Sequence, residues 1–319
     1  MKKESAIYIA GHNGLVGSAV VRQLKQKGFK KLITVNRKKL DLRDHKKTLK
    51  YFKSKKIEYL IMAAAKAGGI LANSKYQKDF FLENIEIQNN LLKLALLKKV
   101  KRVIFLGTSC IYPKFAKNPI NESDLLSGEL EKTNQSYAIA KIAGIKFSEA
   151  LYNDHNLDVV CLMPTNIYGI NDNFDKFSGH VIPAMINKIY NAKLRNKKSL
   201  QLLGTGKPIR EFLYVDDLAS AIYQILKLSK KKISKKTKNG FPLINVGSGS
   251  SLSIKSLSKK IADIIGYKGK IIFDSKYPDG TLKKNLNNKI IFSLGWKPTI
   301  SLNDGLKRSI NFYKENYKK

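Results

Sequence analysis

The 319-residue chain is short of several residue types, and each shortage excludes something. Two cysteines, Cys110 and Cys161, are too few for a disulfide framework, and the expected home is the reducing cytoplasm. No run of eighteen apolar residues occurs, which excludes a transmembrane helix, and the apolar stretch behind Met1–Ser5 is too short for a signal peptide. Acidic residues are scarce: 24 Asp and Glu against 60 Lys and Arg leave a net charge of +36. Arginine is scarce as well, at seven of those sixty. A protein that grips phosphates and bases in bidentate fashion leans on arginine. Here lysines scatter over the amphipathic segments without interleaved aromatics, and no nucleic-acid module is present. The charge therefore describes a solvated surface that attracts polyanions weakly and draws in an anionic substrate, with no specific nucleic-acid partner. No internal repeat occurs, and no metal site is expected.

Hydrophobic residues at 43% and charged residues at 26% fit a globular chain. Apolar runs stand at 6–10, 32–35, 59–63, 102–107 and 158–163, with amphipathic segments at about 15–27, 45–55, 76–98 and 136–153 between them. Strand-helix alternation at this spacing predicts an α/β fold, a doubly wound parallel sheet of the Rossmann kind. Beyond Pro164 turn-rich segments separate shorter elements, including a strand at Leu243–Val246 and helices near 253–265 and 302–316. The division expected is a nucleotide-binding domain over 1–167, with returning segments near 211–249, and a smaller C-terminal α/β substrate lobe over 168–319. The lysine-rich stretch Ser229–Gly240 reads as a mobile surface loop.

Gly11-His12-Asn13-Gly14-Leu15-Val16-Gly17 follows the first strand and opens the first helix. Its first glycine permits a tight turn, the second lets backbone approach a pyrophosphate, and the third lets helix and strand pack closely. The spacing is G-x-x-G-x-x-G. After the second strand comes Asn36-Arg37-Lys38-Lys39, where a cation suits the extra phosphate of NADP better than the ribose of NAD. Arg37 is the candidate for that phosphate, and Asp41-Leu42 falls beside the adenine by position.

Tyr137 and Lys141 stand four residues apart in a helical segment, on one face. A free tyrosine has a pKa of about 10, and a nearby cation favours its phenolate and tunes it as an acid or base. The segment follows a strand ending in Gly107-Thr108-Ser109-Cys110-Ile111-Tyr112-Pro113, which brings the hydroxyl of Thr108 as a third partner. With the glycine turn, this set resembles the extended short-chain dehydrogenase/reductases that act on nucleotide sugars. In that family the residue at the Thr108 position helps bind the substrate carbonyl or hydroxyl. The 4,6-dehydratases of the family carry Glu at the Cys110 position, so the thiol here argues against elimination and suits removal of a proton alpha to a ketone. His180, in Ser178-Gly179-His180-Val181-Ile182-Pro183, supplies a group poised near neutral pH, and inversion of a carbon needs a base on one face and a donor on the other. The bland alternatives are a small buried Cys110 and a helix-capping His180.

The motifs Ala63–Ile70, Thr108–Lys114, Tyr137–Gly144, Met163–Gly169, His180–Ala184 and Pro208–Asp217 resemble the epimerase-reductase members of that family, from the first strand to Trp296. The resemblance implies 3,5-epimerisation and then NADPH-dependent 4-reduction of GDP-4-dehydro-6-deoxy-D-mannose, by a homodimer built through the segments near 76–98 and 136–153. It implies Cys110 as base and His180 as acid, Tyr137 as proton donor, Lys141 as its partner and Thr108 as sugar anchor. Cofactor contacts are implied for Gly11, Asn13, Gly14, Leu15, Val16, Gly17, Arg37, Asp41, Leu42, Ala64, Leu106, Lys141, Pro164, Asn166 and His180. Substrate contacts are implied for Thr108, Ser109, Asn166, Lys188, Leu203, Arg210 and Asp279. Two departures stand out: some relatives have Arg at the Asn13 position and some have Trp at Leu203, which puts cofactor strictness and the guanine contacts in question. The competing readings are a related nucleotide-sugar 4-reductase or 4-epimerase and, from the charge alone, a non-catalytic polyanion binder.

Overall fold

The computed structural model describes residues 1–237, 240–277 and 279–317. The first half alternates β1 (Ile7–Ala10), α1 (Leu15–Gln26), β2 (Leu32–Ile33), α2 (His45–Phe52) and β3 (Tyr59–Met62). Then follow α3 (Ile70–Lys75), α4 (Gln77–Leu97), β4 (Arg102–Leu106), α5 (Gln135–Asp154) and β5 (Val159–Pro164). The later chain supplies β6 (Asn166–Tyr168), α6 (Val181–Leu194), β7 (Ser199–Leu203), β8 (Ile209–Tyr214), α7 (Val215–Lys227) and α8 (Lys230–Ser234). It ends with β9 (Leu243–Val246), β10 (Ser251–Ser253), α9 (Ile254–Ile265), β11 (Lys270–Asp274), β12 (Lys283–Lys284), α10 (Lys289–Ser293) and α11 (Leu302–Tyr317).

Six parallel strands form the main sheet in the order β2-β1-β3-β4-β5-β9. The strands are apolar at nearly every position, Arg102 of β4 and Asn245 of β9 excepted, because both faces are covered. Ile7 and Ile9 of β1 enter one core, with Ala19, Val20 and Leu24 of α1 and Leu218 and Ile222 of α7. Tyr8 and Ala10 enter the other, with Phe52 of α2, Leu91 and Leu94 of α4 and Ile145 of α5. The same alternation runs through β4 and β5, as the two-residue period of a strand requires. The chain leaves β1 toward β2 and returns at β3 on the other side, so a crevice opens at the carboxyl ends between β1 and β3.

A second sheet has β8 between β10 and β12, with β6 also pairing β8, and β7 pairs β11 separately. Of the returning segments expected near 211–249, α7 lies against α1 and β9 joins the main sheet, while Glu211–Tyr214 run in the second sheet. Glu211 ties these parts together. Its backbone carbonyl accepts from Thr165 Oγ1 and Asn166 Nδ2 at the end of β5. Its buried carboxylate accepts from Gly249 N, Leu286 N and Asn288 Nδ2.

Local differences from the sequence reading have local causes. The strand expected over 32–35 stops at Ile33, being an edge strand with a single partner. The helix expected from 76 is preceded by α3, and the two are separated at Tyr76, whose backbone (φ −115°, ψ 41°) departs from the helix. The stretch Ser229–Gly240, expected as a mobile loop, folds in part as α8, its N-terminus capped by Ser229 Oγ accepting from Lys232 N; Lys238 and Asn239 lie outside the described residues.

Candidate active site

The crevice begins at the glycine turn. Gly11 has φ +80°, and a Cβ there would lie 2.6 Å from Ala64 N, so a side chain is excluded by both conformation and space. A Cβ on Gly17 would overlap the Gly11 carbonyl oxygen. Gly14 differs. It has an ordinary φ of −78°, and a Cβ would find only Gly11 O, at 3.5 Å. The protein has no need of glycine there, whereas a phosphate approaching the uncapped N-terminus of α1 does. Leu15 and Val16 pack their side chains on the core, leaving backbone N–H groups for the anion. The turn thus fits a dinucleotide pyrophosphate.

The cluster expected at the adenosine end is charged. Asn13 Nδ2 donates to Asn36 Oδ1 at 2.7 Å. Arg37 is two-thirds exposed and lies 3.2 Å from Glu83, while Arg43 holds Asp41 through short contacts and also reaches Glu83 at 3.5 Å. These hydrogen bonds hold the Asp41 carboxyl below the usual carboxylate range. Leu42 rests half-buried on the core. Arg43 and Glu83, which position this cluster, carry no sequence signal of their own.

The loop after β3 explains its small residues. Asn84 clamps Lys66 through both its N–H and its carbonyl. Gly69 N donates to Ser178 O at 3.0 Å, and a Cβ on Gly69 would lie 2.5 Å from Gly179 O. The Phe80 ring meets Tyr137 edge-on at 6.1 Å and crowds Gly68, which abuts Ser178. An unbroken line of contacts therefore runs from Tyr137 to the segment carrying His180.

His180 stands at the N-cap of α6, yet its side chain caps nothing, which removes the capping explanation for it. The residue is exposed overall, while desolvation by the surrounding protein depresses the pKa of its ring. Lys188, two turns along α6, is half-buried, and burial with Lys176 nearby lowers its pKa.

Lys141 is 4% exposed, and its Nζ donates to Leu106 O at 3.0 Å. Burial brings its pKa down to about 8. Tyr137 is pushed above the ordinary tyrosine range, first by burial and then by the neighbouring Cys110. The sequence argument had Lys141 lowering Tyr137; in the protein by itself the ammonium turns to the β4 carbonyl and desolvation prevails. Thr108 Oγ1 accepts from Cys110 N at 3.2 Å, capping the short turn Ser109–Ile111, and Ser109 is buried in that turn. Cys110 is partly exposed, so it is not the small buried residue of the bland alternative. Asn134 Nδ2 lies 3.5 Å from its sulfur.

Arg210 on β8 is near enough to Cys110, Asp279 and Glu131 for their charges to favour its cation, although burial lowers its pKa overall. Its side-chain hydrogen bond goes to the adjacent Ile209 carbonyl, which leaves most of its donor fork for a ligand. Both carboxylate oxygens of Asp279 are taken by Thr205, through its N–H and its hydroxyl, so this side chain pins the loop after β7. Leu203, at the end of β7, is 37% exposed. Pro164 ends β5, and Asn166 spends its amide N–H on Glu211 O. Among the described residues no group of three His, Cys, Asp or Glu could hold a metal ion, and no helix is long and apolar enough to cross a membrane.

Residues 7–246 match the model of the NAD dependent epimerase/dehydratase family. The chain is 43% identical to GDP-L-fucose synthase 1 of Arabidopsis thaliana, covering 98% of this chain and 94% of that one. It is 43% identical to GDP-L-fucose synthase of Escherichia coli K12, over 97% of each. Among solved structures, the GDP-mannoheptose C4 reductase of Campylobacter jejuni with NADP bound is 36% identical, with a TM-score of 0.88 over 98% of this chain and 99% of that one.

Proposed function

Because the chain belongs to the NAD dependent epimerase/dehydratase family, we propose that it converts GDP-4-dehydro-6-deoxy-D-mannose to GDP-L-fucose, inverting C3 and C5 and then reducing C4. Supporting this reading are a partly exposed thiol (Cys110) neighbouring Tyr137, the buried Lys141 on the same helix as Tyr137, and an imidazole free of capping duty (His180) on the segment that Phe80 and Gly68 connect to Tyr137.

Cys110 as thiolate removes the proton alpha to the C4 ketone, first at one carbon and then at the other, leaving an enolate each time. His180 delivers a proton to the opposite face and regains one from solvent, while Cys110 releases to solvent the proton it took before it acts as base again. Its depressed pKa makes the imidazolium a stronger donor, though fewer molecules carry it at neutral pH. NADPH, when bound, supplies the hydride for C4. Gly11, Gly14, Gly17 and the backbone N–H groups of Leu15 and Val16 would hold its pyrophosphate, Arg37 and Asn13 its extra phosphate, and Asp41 and Leu42 its adenine. Ala64, Leu106, Pro164 and Asn166 would border the rest of its length. Lys141 would hold the nicotinamide ribose. Tyr137 gives its proton to the C4 oxygen, completing the alcohol, while Thr108 and Ser109 hold the sugar. Arg210 and Lys188 would bind the diphosphate, with Leu203 against the base and Asp279 holding the loop beside it.

The chain works as a homodimer through α4 and α5, whose outer faces expose Leu82 and Ile139, and its two free thiols suit the cytoplasm.

The test is product analysis by NMR after incubation with the 4-keto substrate and NADPH. GDP-L-fucose formed with one NADPH oxidised per sugar is the expected result, and absence of turnover would refute the reading. Cys110→Ser should cripple inversion and leave C4 reduction, giving a GDP-6-deoxyhexose of other stereochemistry. A second reading, a GDP-sugar C4 reductase without inversion, is favoured by the likeness to the Campylobacter jejuni enzyme; it predicts that product from the unsubstituted protein.

A further inference from the structure

Asn134 occupies the N-cap of α5, where asparagine ordinarily turns its side-chain oxygen onto the first N–H groups of the helix. Here it makes no such bond. Its Nδ2 donates instead to Cys110 Sγ at 3.5 Å, and its Oδ1 is buried without a hydrogen-bond partner among the described residues. The side chain has forgone its usual local role for a contact 24 positions away in sequence.

The surrounding turn holds it in place. Asn134 N donates to Glu131 O, Glu131 Oε1 accepts from Thr133 N, and Ser74 Oγ of α3 donates to Thr133 O. Glu131 is itself buried and paired with Lys114 at 3.5 Å. The contact also draws the sulfur to the N-terminal end of a 20-residue helix, the end whose dipole favours an anion. Tyr137 from α5 and Arg210 from β8 are charged or titratable neighbours of Cys110.

We propose that Asn134 is a positioning residue for Cys110, aiming the sulfur into the cleft and donating its amide N–H to the thiolate that takes the sugar proton. The proposal rests on the reading of Cys110 as the base. An amide N–H opposite sulfur favours the anion, whereas a carboxylate of the same shape opposes it.

Asn134→Asp separates the roles, because aspartate caps a helix as well as asparagine does but repels a thiolate. Two rates are measured in the full-length protein: alkylation of Cys110 by iodoacetamide, with Cys110→Ser as background for Cys161, and deuterium uptake from D2O at C3 and C5 of the 4-keto substrate. The expected result is a loss of about tenfold or more in both rates for Asn134→Asp, and a smaller loss for Asn134→Ala, as for a hydrogen bond to a charged group. Hydride transfer to C4 should continue, so the product shifts toward the uninverted alcohol. Unchanged alkylation in Asn134→Asp overturns the proposal, and so does an equal fall in deuterium uptake and hydride transfer, which marks a packing role. Deuterium uptake that persists in Cys110→Ser overturns the reading of Cys110 as base. In that event alkylation alone still reports whether Asn134 governs the thiol.

Discussion

At the scale of single residues, the protonation of Tyr137, Lys141 and His180 is set by how much solvent each has lost. Lys141 is the clearest case, a buried ammonium held by one carbonyl and lying over the Phe105 ring. Its pKa of about 8 in the folded chain lies below the ordinary lysine value of 10.5. The cost of burying its charge is therefore fully present below pH 8, where folded and unfolded chains are both protonated. It is relieved between pH 8 and 10.5, where the folded chain gives up the proton and the unfolded chain keeps it, so stability gains with rising pH in that window. In denaturant titrations of the cofactor-free protein, the unfolding free energy of the unsubstituted chain relative to Lys141→Met should rise by up to about 3 kcal/mol across that window. A flat difference would mean that Lys141 is not buried as a cation. The Tyr137/Lys141 spacing was legible in the sequence because a helix puts positions four apart on one face. The pull of the Leu106 carbonyl on Lys141 was not, since it depends on a strand more than thirty residues earlier.

At the scale of elements, the three glycines of the first turn do three different jobs, which the motif alone cannot apportion. Gly11 and Gly17 are required by the protein itself, whereas Gly14 leaves room that the protein does not use. Gly17→Ala should force α1 off the turn and lower stability by about 1–3 kcal/mol, the usual cost of overpacking. Gly14→Ala should leave stability within about 1 kcal/mol, yet weaken NADPH by tenfold or more, because the methyl group occupies the approach of the phosphate. Thermal unfolding with and without NADPH reads both: Gly17→Ala lowers the midpoint in the absence of cofactor, and Gly14→Ala abolishes the rise that cofactor brings. A Gly14→Ala protein that binds NADPH normally would move the pyrophosphate elsewhere. The strands and most helices of the first half were readable because each is a continuous stretch with its own period. The break at Tyr76 and the early end of β2 follow from neighbours in space, which no period records.

At the scale of the whole molecule, what sequence could not show is pairing across distance. β8 sits between β10 and β12 and pairs β6, and Glu211 joins that sheet to the end of β5; these contacts link segments from 165 to 288. Assembly is the other property of this scale. α4 and α5 pack against each other, with Gln88 Nε2 donating to Ala140 O and Gln88 crowding Gly144. Their outer faces are left with Leu82 at 45% exposure and, on α5, Ile139 at 42% in line with exposed Ala143, Lys146 and Ala150. That spacing of i, i+4, i+7 and i+11 marks a face that a second helix pair can cover. In the proposed two-fold dimer each residue of the face is used twice, so one substitution is felt twice. Ile139→Glu would bury an unpaired carboxylate on each side at about 3 kcal/mol or more per copy, weakening the dimer by roughly four orders of magnitude. Sedimentation equilibrium at micromolar protein should then change from twice the chain mass to once. An Ile139→Glu protein that stays dimeric would move the interface off α5. Because Tyr137 and Lys141 lie on the same helix, the activity of the separated chains tells whether the pairing of α5 also steadies the proton donor or serves assembly alone.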